Sequence, residues 1–336
     1  MKAVFLTGSQ APLIIKEVPT PVPGPGQLLV KLAFSALNHR DVWIQKGQYA
    51  VASATEGLIL GSDGFGIVEA GGDNTASSWI GKEVIINPSH DWGNNPAAFG
   101  SSFTILGNPN PGTFAEYIAV DQKYVHEKPA HLSPIEAAAL PLAGITTYRA
   151  LFTRAQVKAG EKVLVTGIGA GTALLALQQA LAAGAEVYVT SGSEEKIEKA
   201  KALGATAGFN YKADNWVALA KEVSGGFDVV IDSASGDGFG KLVEILKPGG
   251  RLVFFGGTGG PIGNIIPAHV YWKNISILGT TMGTEEEFKS MLHFIEQHQV
   301  KPIVDKVFSS LHDAQEAVSY MAQGKQFGKI VLTNKI

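Results

Sequence analysis

Two hydrophobic rhythms divide this chain. Up to about residue 125, short apolar runs such as LLVKLAF, GIVEAGG and KEVIINPS are broken by frequent Pro and Gly, a pattern that predicts an irregular antiparallel β domain, barrel or sandwich. From about Ser133 the rhythm changes to helices alternating with apolar strands: IEAAALPLAGITTYRAL, then KVLVTGI, AEVYVTS, AGFNY, FDVVIDSAS, GRLVFFGG and NISILGT. Apolar strands separated by helices predict a parallel, doubly wound sheet covered on both faces. The tail reads as a helix, EEEFKSMLHFIEQH, an extended segment at KPIVDKVFS, a helix at HDAQEAVSYMAQG and a last strand, GKIVLTN, and is expected to fold back onto the first domain.

Composition narrows the functional classes. With 336 residues, 45% hydrophobic and 17% charged, the chain can bury a large core in two domains. A formal charge of -3 and the lack of any Lys/Arg run argue against nucleic acid or an anionic membrane as partner. No stretch offers about 18 uninterrupted apolar residues, and the apolar run in MKAVFLTGSQ is too short for a signal peptide, so the cytoplasm is the expected compartment. The absence of cysteine excludes disulfides and thiolate metal sites.

The stretch VLVTGIGAGTALLALQQALAAGAEVYVTSGSEEK carries the first candidate chemistry. A strand ending at Gly167, a tight turn of Ile168, Gly169, Ala170, Gly171 and Thr172, and a helix from near Ala173 would present free backbone N–H groups and a helix dipole to a diphosphate. A glycine turn alone also serves ordinary strand-to-helix packing; the second strand, about 20 residues on, is where a dinucleotide site reads its ribose. That strand ends in Thr190, Ser191, Gly192 and Ser193 instead of the carboxylate usual for NAD, with Lys196 one turn into the next helix. Hydroxyls, backbone N–H groups and a lysine suit a 2′-phosphate, hence NADP(H). Ser193 capping that helix, with Lys196 on its solvated face, is the alternative and is compatible with the first reading.

The ordered set GPGQLLVKLAFSALNHRDVWIQKG, GSDGFGIVEAGG, GTFAEY, LPLAGITTYRAL, the turn above, DVVIDSASGD, LKPGGRLVFFGG and GKIVL resembles the medium-chain dehydrogenase/reductase superfamily over essentially the whole chain, in particular its zinc-free quinone-oxidoreductase-like branch. The resemblance implies an α/β protein in which a GroES-like antiparallel β catalytic domain (1–124 and 285–336) accompanies a Rossmann NADP(H)-binding domain (125–284), with a cofactor cleft between them. It places the 2′-phosphate contacts at Lys196 and Tyr211 and His39 near the diphosphate, and adds Thr146, Gly256, Gly257 and Lys329 to the cofactor-binding set. Where the zinc branch has its catalytic ligands this chain has Asn38, Ser62 with Asp63, and Leu142, so no zinc is expected. The lobe that holds a structural zinc in relatives keeps its length without cysteines, and packing of Trp92, Phe99 and Phe103 is expected to hold it instead.

Without a metal, neutral donors must stabilise the oxygen of the carbonyl being reduced. The resemblance puts Asn38 and Tyr49 at the nicotinamide pocket as those donors, although Asn38 can equally be a loop cap and Tyr49 a wall. Arg40 with Asp63 is expected as a loop-fixing ion pair, and Trp43 and Phe65 as pocket walls. The implied activity is hydride transfer to a quinone, enone or related carbonyl. Two alternatives stand beside it: an alcohol dehydrogenase-like enzyme with a non-standard metal site, for which His39, Asp63 or another carboxylate would have to converge, and a low-turnover nucleotide-binding regulatory protein. The segment Asn274 to Thr280 reads as an apolar edge strand, from which a homodimer is expected.

Overall fold

The computed structural model describes residues 1–49 and 57–335 and divides into two compact units, Met1–Ala143 with Gly283–Ile336, and Gly144–Met282. The second unit is built on six parallel strands whose spatial order is Ala207–Asn210, Glu186–Ser191, Lys162–Val165, Phe227–Asp232, Leu246–Phe254 and Ser276–Gly279. In chain order that is 3-2-1-4-5-6, the doubly wound Rossmann arrangement. Val163, Leu164, Val187, Val189, Val229 and Val230 are all fully buried, as strands covered on both faces require. One side packs Tyr188, Phe209, Trp216, Phe227 and Phe239 into a shared aromatic core.

The first unit is a largely antiparallel sheet of the GroES-like kind. Its long strand Gln27–Ala36 pairs with Asp63–Gly71 on one side and with Lys329–Thr333 from the far end of the chain on the other. The tail therefore does fold back onto the first domain. Residues 125–143 join this unit, so the first boundary falls later than 124/125. The cause is local: Val125–Glu127 pairs with Glu83–Ile86, and Ala139, with Ile135 beside it, packs against Ala36 and Val331. In the lobe after Asn87, the rings of Trp92, Phe99 and Phe103 lie 4.7–5.8 Å apart, with the Trp92 indole donating to Asn95 O at 3.0 Å. No helix among the described residues is long and apolar enough to cross a membrane.

Candidate functional site

In the second unit, the candidate nucleotide residues gather at the carboxyl ends of the parallel strands. The chain leaves Lys162–Val165, turns with φ +64° at Gly167 and +117° at Gly169, and enters the helix Gly171–Ala182. Only glycine takes such φ values without strain. The helix begins two residues earlier than expected, and its N-cap, Ala170, has no side chain able to cap it. First-turn N–H groups thus face the turn without a side-chain partner, which is the arrangement an anion needs. Two further glycines follow the strand Leu246–Phe254: a Cβ at Gly256 would sit 2.1 Å from Ser233 O, whereas Gly257 faces open space. Asp232, buried at the end of its strand, accepts from Thr166 Oγ1 at 2.5 Å and from Ser235 N at 2.7 Å; burial raises its carboxyl above the usual range.

Around the second strand end the polar groups divide in two. Ser191 is buried, accepts from Ser193 N and donates to Ile168 O, so its hydroxyl ties the strand to the turn and is not turned outward to a phosphate. Ser193 Oγ accepts from Lys196 N and caps the helix Glu194–Ala202. The Lys196 side chain lies across Gly169, its Nζ 3.1 Å from where a Cβ would stand there. Across Gly192 lie the Tyr211 hydroxyl, at 2.8 Å from the corresponding point, and Lys212 Cε at 2.7 Å. Lys212 was legible only as the residue after Tyr211 in FNYK; the fold brings it beside Tyr211 over Gly192 and makes it a further candidate. Glu194 is held by Asn210 Nδ2 at 2.7 Å. Thr146 is buried on the helix Pro141–Tyr148, 3.9 Å from Met282 Sδ.

In the first unit, register brings a buried polar cluster together. Ala36, at the end of its strand, lies opposite Asp63 on one neighbour and Val331 on the other. Asn38, two residues past Ala36, and Lys329, two before Val331, therefore meet Asp63 at one end of three adjacent strands. Asn38 Nδ2 donates to Asp63 Oδ2 at 2.9 Å, and Lys329 Nζ donates to Asp63 Oδ2 at 2.9 Å, to Asn38 Oδ1 at 2.7 Å and to Leu37 O at 2.8 Å. Asp63 Oδ1 accepts from Leu142 N at 2.7 Å. The three polar side chains are deeply inside: Asp63 is 0% exposed, Lys329 3% and Asn38 6%.

Three expectations change here. Lys329 spends all three ammonium hydrogens inside the first unit and has none left for a cofactor. Asp63 pairs with Lys329 rather than with Arg40, whose guanidinium donates to Ser62 Oγ, Leu106 O and Asn108 O. Phe65, expected as a pocket wall, is a core residue at 3% exposure, packed near Phe34 on the sheet. Asn38 is the N-cap of the helix His39–Gln45, and its backbone N–H donates to Asp41 Oδ2 at 2.8 Å. Sequence reasoning passed over Asp41, although Asn followed three residues later by Asp is a helix-start signal. Burial pushes the Asp41 carboxyl up to about 6, against the opposing pull of Arg40 and the Asn38 N–H. Burial and Lys46 hold the His39 imidazole below its ordinary value, hence neutral. Tyr49 is 40% exposed, stacks on Trp43 with centroids 6.0 Å apart, and has a hydroxyl bonded to no described residue.

The donor set does not suit zinc. Among the described residues no group of three or more His, Cys, Asp or Glu converges. Asp63, the one carboxylate at the former ligand positions, already has both oxygens engaged and a cation, Lys329, beside it. Asn, Ser and Leu complete the positions and supply no adequate ligand.

Comparison with known proteins yields two family models: "Alcohol dehydrogenase GroES-like domain" over residues 24–130 and "Zinc-binding dehydrogenase" over 171–297. The zinc-type alcohol dehydrogenase-like protein YogA of Leptosphaeria maculans is 38% identical, covering 96% of this chain and 94% of its own length. The human quinone oxidoreductase is 29% identical over 99% of this chain and 97% of its own. A crystal structure of an NAD-dependent alcohol dehydrogenase superposes with a TM-score of 0.93 at 34% identity, covering 99% of both chains.

Proposed function

The chain belongs to the medium-chain dehydrogenase/reductase superfamily, and we propose that it is an NADP(H)-dependent, zinc-independent reductase of quinones, enones or related carbonyls, working as a cytoplasmic homodimer. The observation that carries this reading is the buried cluster of Asn38, Asp63 and Lys329, which puts an ammonium and an amide where a metal-dependent relative needs ligands. A nicotinamide cofactor, when bound, would supply the hydride, and the carbonyl oxygen of the substrate would then gather the displaced electron pair before taking a proton from water. Asn38 keeps one amide hydrogen uncommitted after donating to Asp63, and the Tyr49 hydroxyl is uncommitted; these are the two neutral donors for that oxygen. The turn Gly167–Thr172 with Gly256 and Gly257 supports the diphosphate assignment, and Lys196 with Tyr211 and Lys212 supports the 2′-phosphate.

The test is NADPH oxidation across quinones, enones, 2-alkenals and simple aldehydes with EDTA present, followed by single-turnover rates for Asn38→Ala and Tyr49→Phe. Loss of one oxyanion donor should slow the hydride step by about 10²–10³ with little change in NADPH affinity. Activity that EDTA abolishes and zinc restores would overturn the metal-free reading. Wild-type rates in both variants would remove the two residues from the chemistry.

A further inference from the structure

We propose that Lys329 and Asp63 are positioning residues for the hydride step, acting through the side-chain amide of Asn38; the inference rests on the reading of Asn38 as a carbonyl-oxygen donor. Three features of the cluster lead to it. An amide has two faces of opposite polarity, and here each faces the one group that suits it. Asn38 Oδ1 accepts from the Lys329 ammonium at 2.7 Å and Nδ2 donates to the Asp63 carboxylate at 2.9 Å. Flipping the amide would set NH₂ against the ammonium and oxygen against the carboxylate, so the direction of its second N–H is determined by the pair.

The two charged groups are themselves fixed. Asp63 cannot rotate, because Leu142 N holds Oδ1 while Lys329 and Asn38 share Oδ2; Lys329 cannot withdraw, because Leu37 O takes its third hydrogen. A buried ion pair is also a poor choice for stability alone. Desolvating both ions costs several kcal/mol each, so apolar residues of similar volume usually hold a fold as well or better. What the pair provides is orientation, together with polarisation: an ammonium on Oδ1 draws electron density from the amide and makes the remaining N–H a stronger donor.

The experiment is a double-mutant cycle on the full chain: Asn38→Ala, Lys329→Met and the two combined. Single-turnover NADPH oxidation, with NADPH and its 4-deuterated form, is measured beside the KM for NADPH and the melting temperature. Lys329→Met should slow the isotope-sensitive step about tenfold or more while the NADPH KM stays within about twofold, since only an interaction made in the transition state is lost. In the Asn38→Ala background the same substitution should change that step less than about twofold, because its route to the substrate is gone. If Lys329→Met does not fold, the charge-neutral combination Asp63→Asn with Lys329→Met replaces it in the cycle. Losses that multiply in the combined variant, or a hydride step unaffected by removal of the pair, overturn the positioning role while leaving Asn38 as donor. A wild-type rate in Asn38→Ala overturns the donor reading itself.

Discussion

Replacing Lys196 by Ala should reduce the preference for NADPH over NADH and leave the hydride step nearly intact. Two glycines and three side chains determine the size of the effect. Lys196 Nζ lies over Gly169 in the glycine turn, and Tyr211 Oη and Lys212 Cε lie over Gly192 at the next strand end, so on the proposed reading a 2′-phosphate beside Ser193 would meet one half-buried and one exposed lysine. A charge-assisted hydrogen bond from a partly desolvated lysine contributes about 1–3 kcal/mol, or about 5- to 150-fold in relative affinity. The exposed Lys212 is worth about 0–1 kcal/mol, at most about fivefold, and should fade first as salt rises. Glu194 provides a control of opposite sign: it begins the same helix, and Glu194→Gln should raise NADPH affinity by removing a like charge. Titration calorimetry with NADPH and NADH, plus competition by adenosine 2′,5′-bisphosphate, measures each term. Equal affinity of the unmodified protein for both nucleotides would refute the 2′-phosphate reading, and an unchanged ratio in Lys196→Ala would remove that residue from the phosphate site.

Asp41 makes a prediction in pH. Its carboxyl titrates near 6 when folded against 3.8 for the free group, so the folded chain binds the proton more tightly between these values; this favourable contribution is complete below about pH 4 and lost as pH rises through 6. A gap of about two pH units corresponds to about 3 kcal/mol. In urea unfolding, the stability difference between wild type and Asp41→Asn should therefore move against wild type from pH 4 to 6 and level above it, and a flat or reversed difference would refute the assignment. On assembly, the outer strand Ser276–Gly279 has one sheet neighbour among the described strands, and Ile266, Tyr271 and Trp272 nearby in sequence are exposed. Light scattering at micromolar concentration should report a dimer that Ile277→Lys converts to monomer; a monomeric unmodified protein would refute the proposal.

The legible part of this chain was the part governed by local rules. Strand, glycine turn, helix and strand from Val163 to Ser191 follow from apolar runs and from φ values that only glycine takes freely, so their order could be read directly. The tail strand at Lys329 was legible as a strand, but not the partner of its lysine. That partner depends on which residues of Gln27–Ala36 stand opposite Asp63 and Val331, and register is a tertiary property. Proximity in sequence favoured Arg40 for Asp63; the fold instead sends Arg40 to Ser62, Leu106 and Asn108. Lys212 was hidden for a similar reason, since its place over Gly192 comes from the parallel pairing of Ser191 with Asn210.

The "Zinc-binding dehydrogenase" model matches residues 171–297, which hold the sheet from its first helix onward. Asn38, Ser62, Asp63 and Leu142 all lie outside that span, so the match reports the Rossmann scaffold and is silent on ligands. Asn38 and Asp63 are brought together by strand pairing in the other unit, with Leu142 N reaching Asp63 from a helix, and that pairing depends on alternating burial along the strands and not on what their ends carry. A fold can therefore keep the position while its contents change. Here the position holds a carboxylate whose countercharge comes from Lys329, a covalently attached cation that chelators cannot remove. An ammonium accepts no electron pair, so without a metal such a site would offer only orientation and hydrogen bonding. Under the metal-free reading proposed above, carbonyls whose reduction is already favourable, quinones and enones before simple ketones, are the expected substrates.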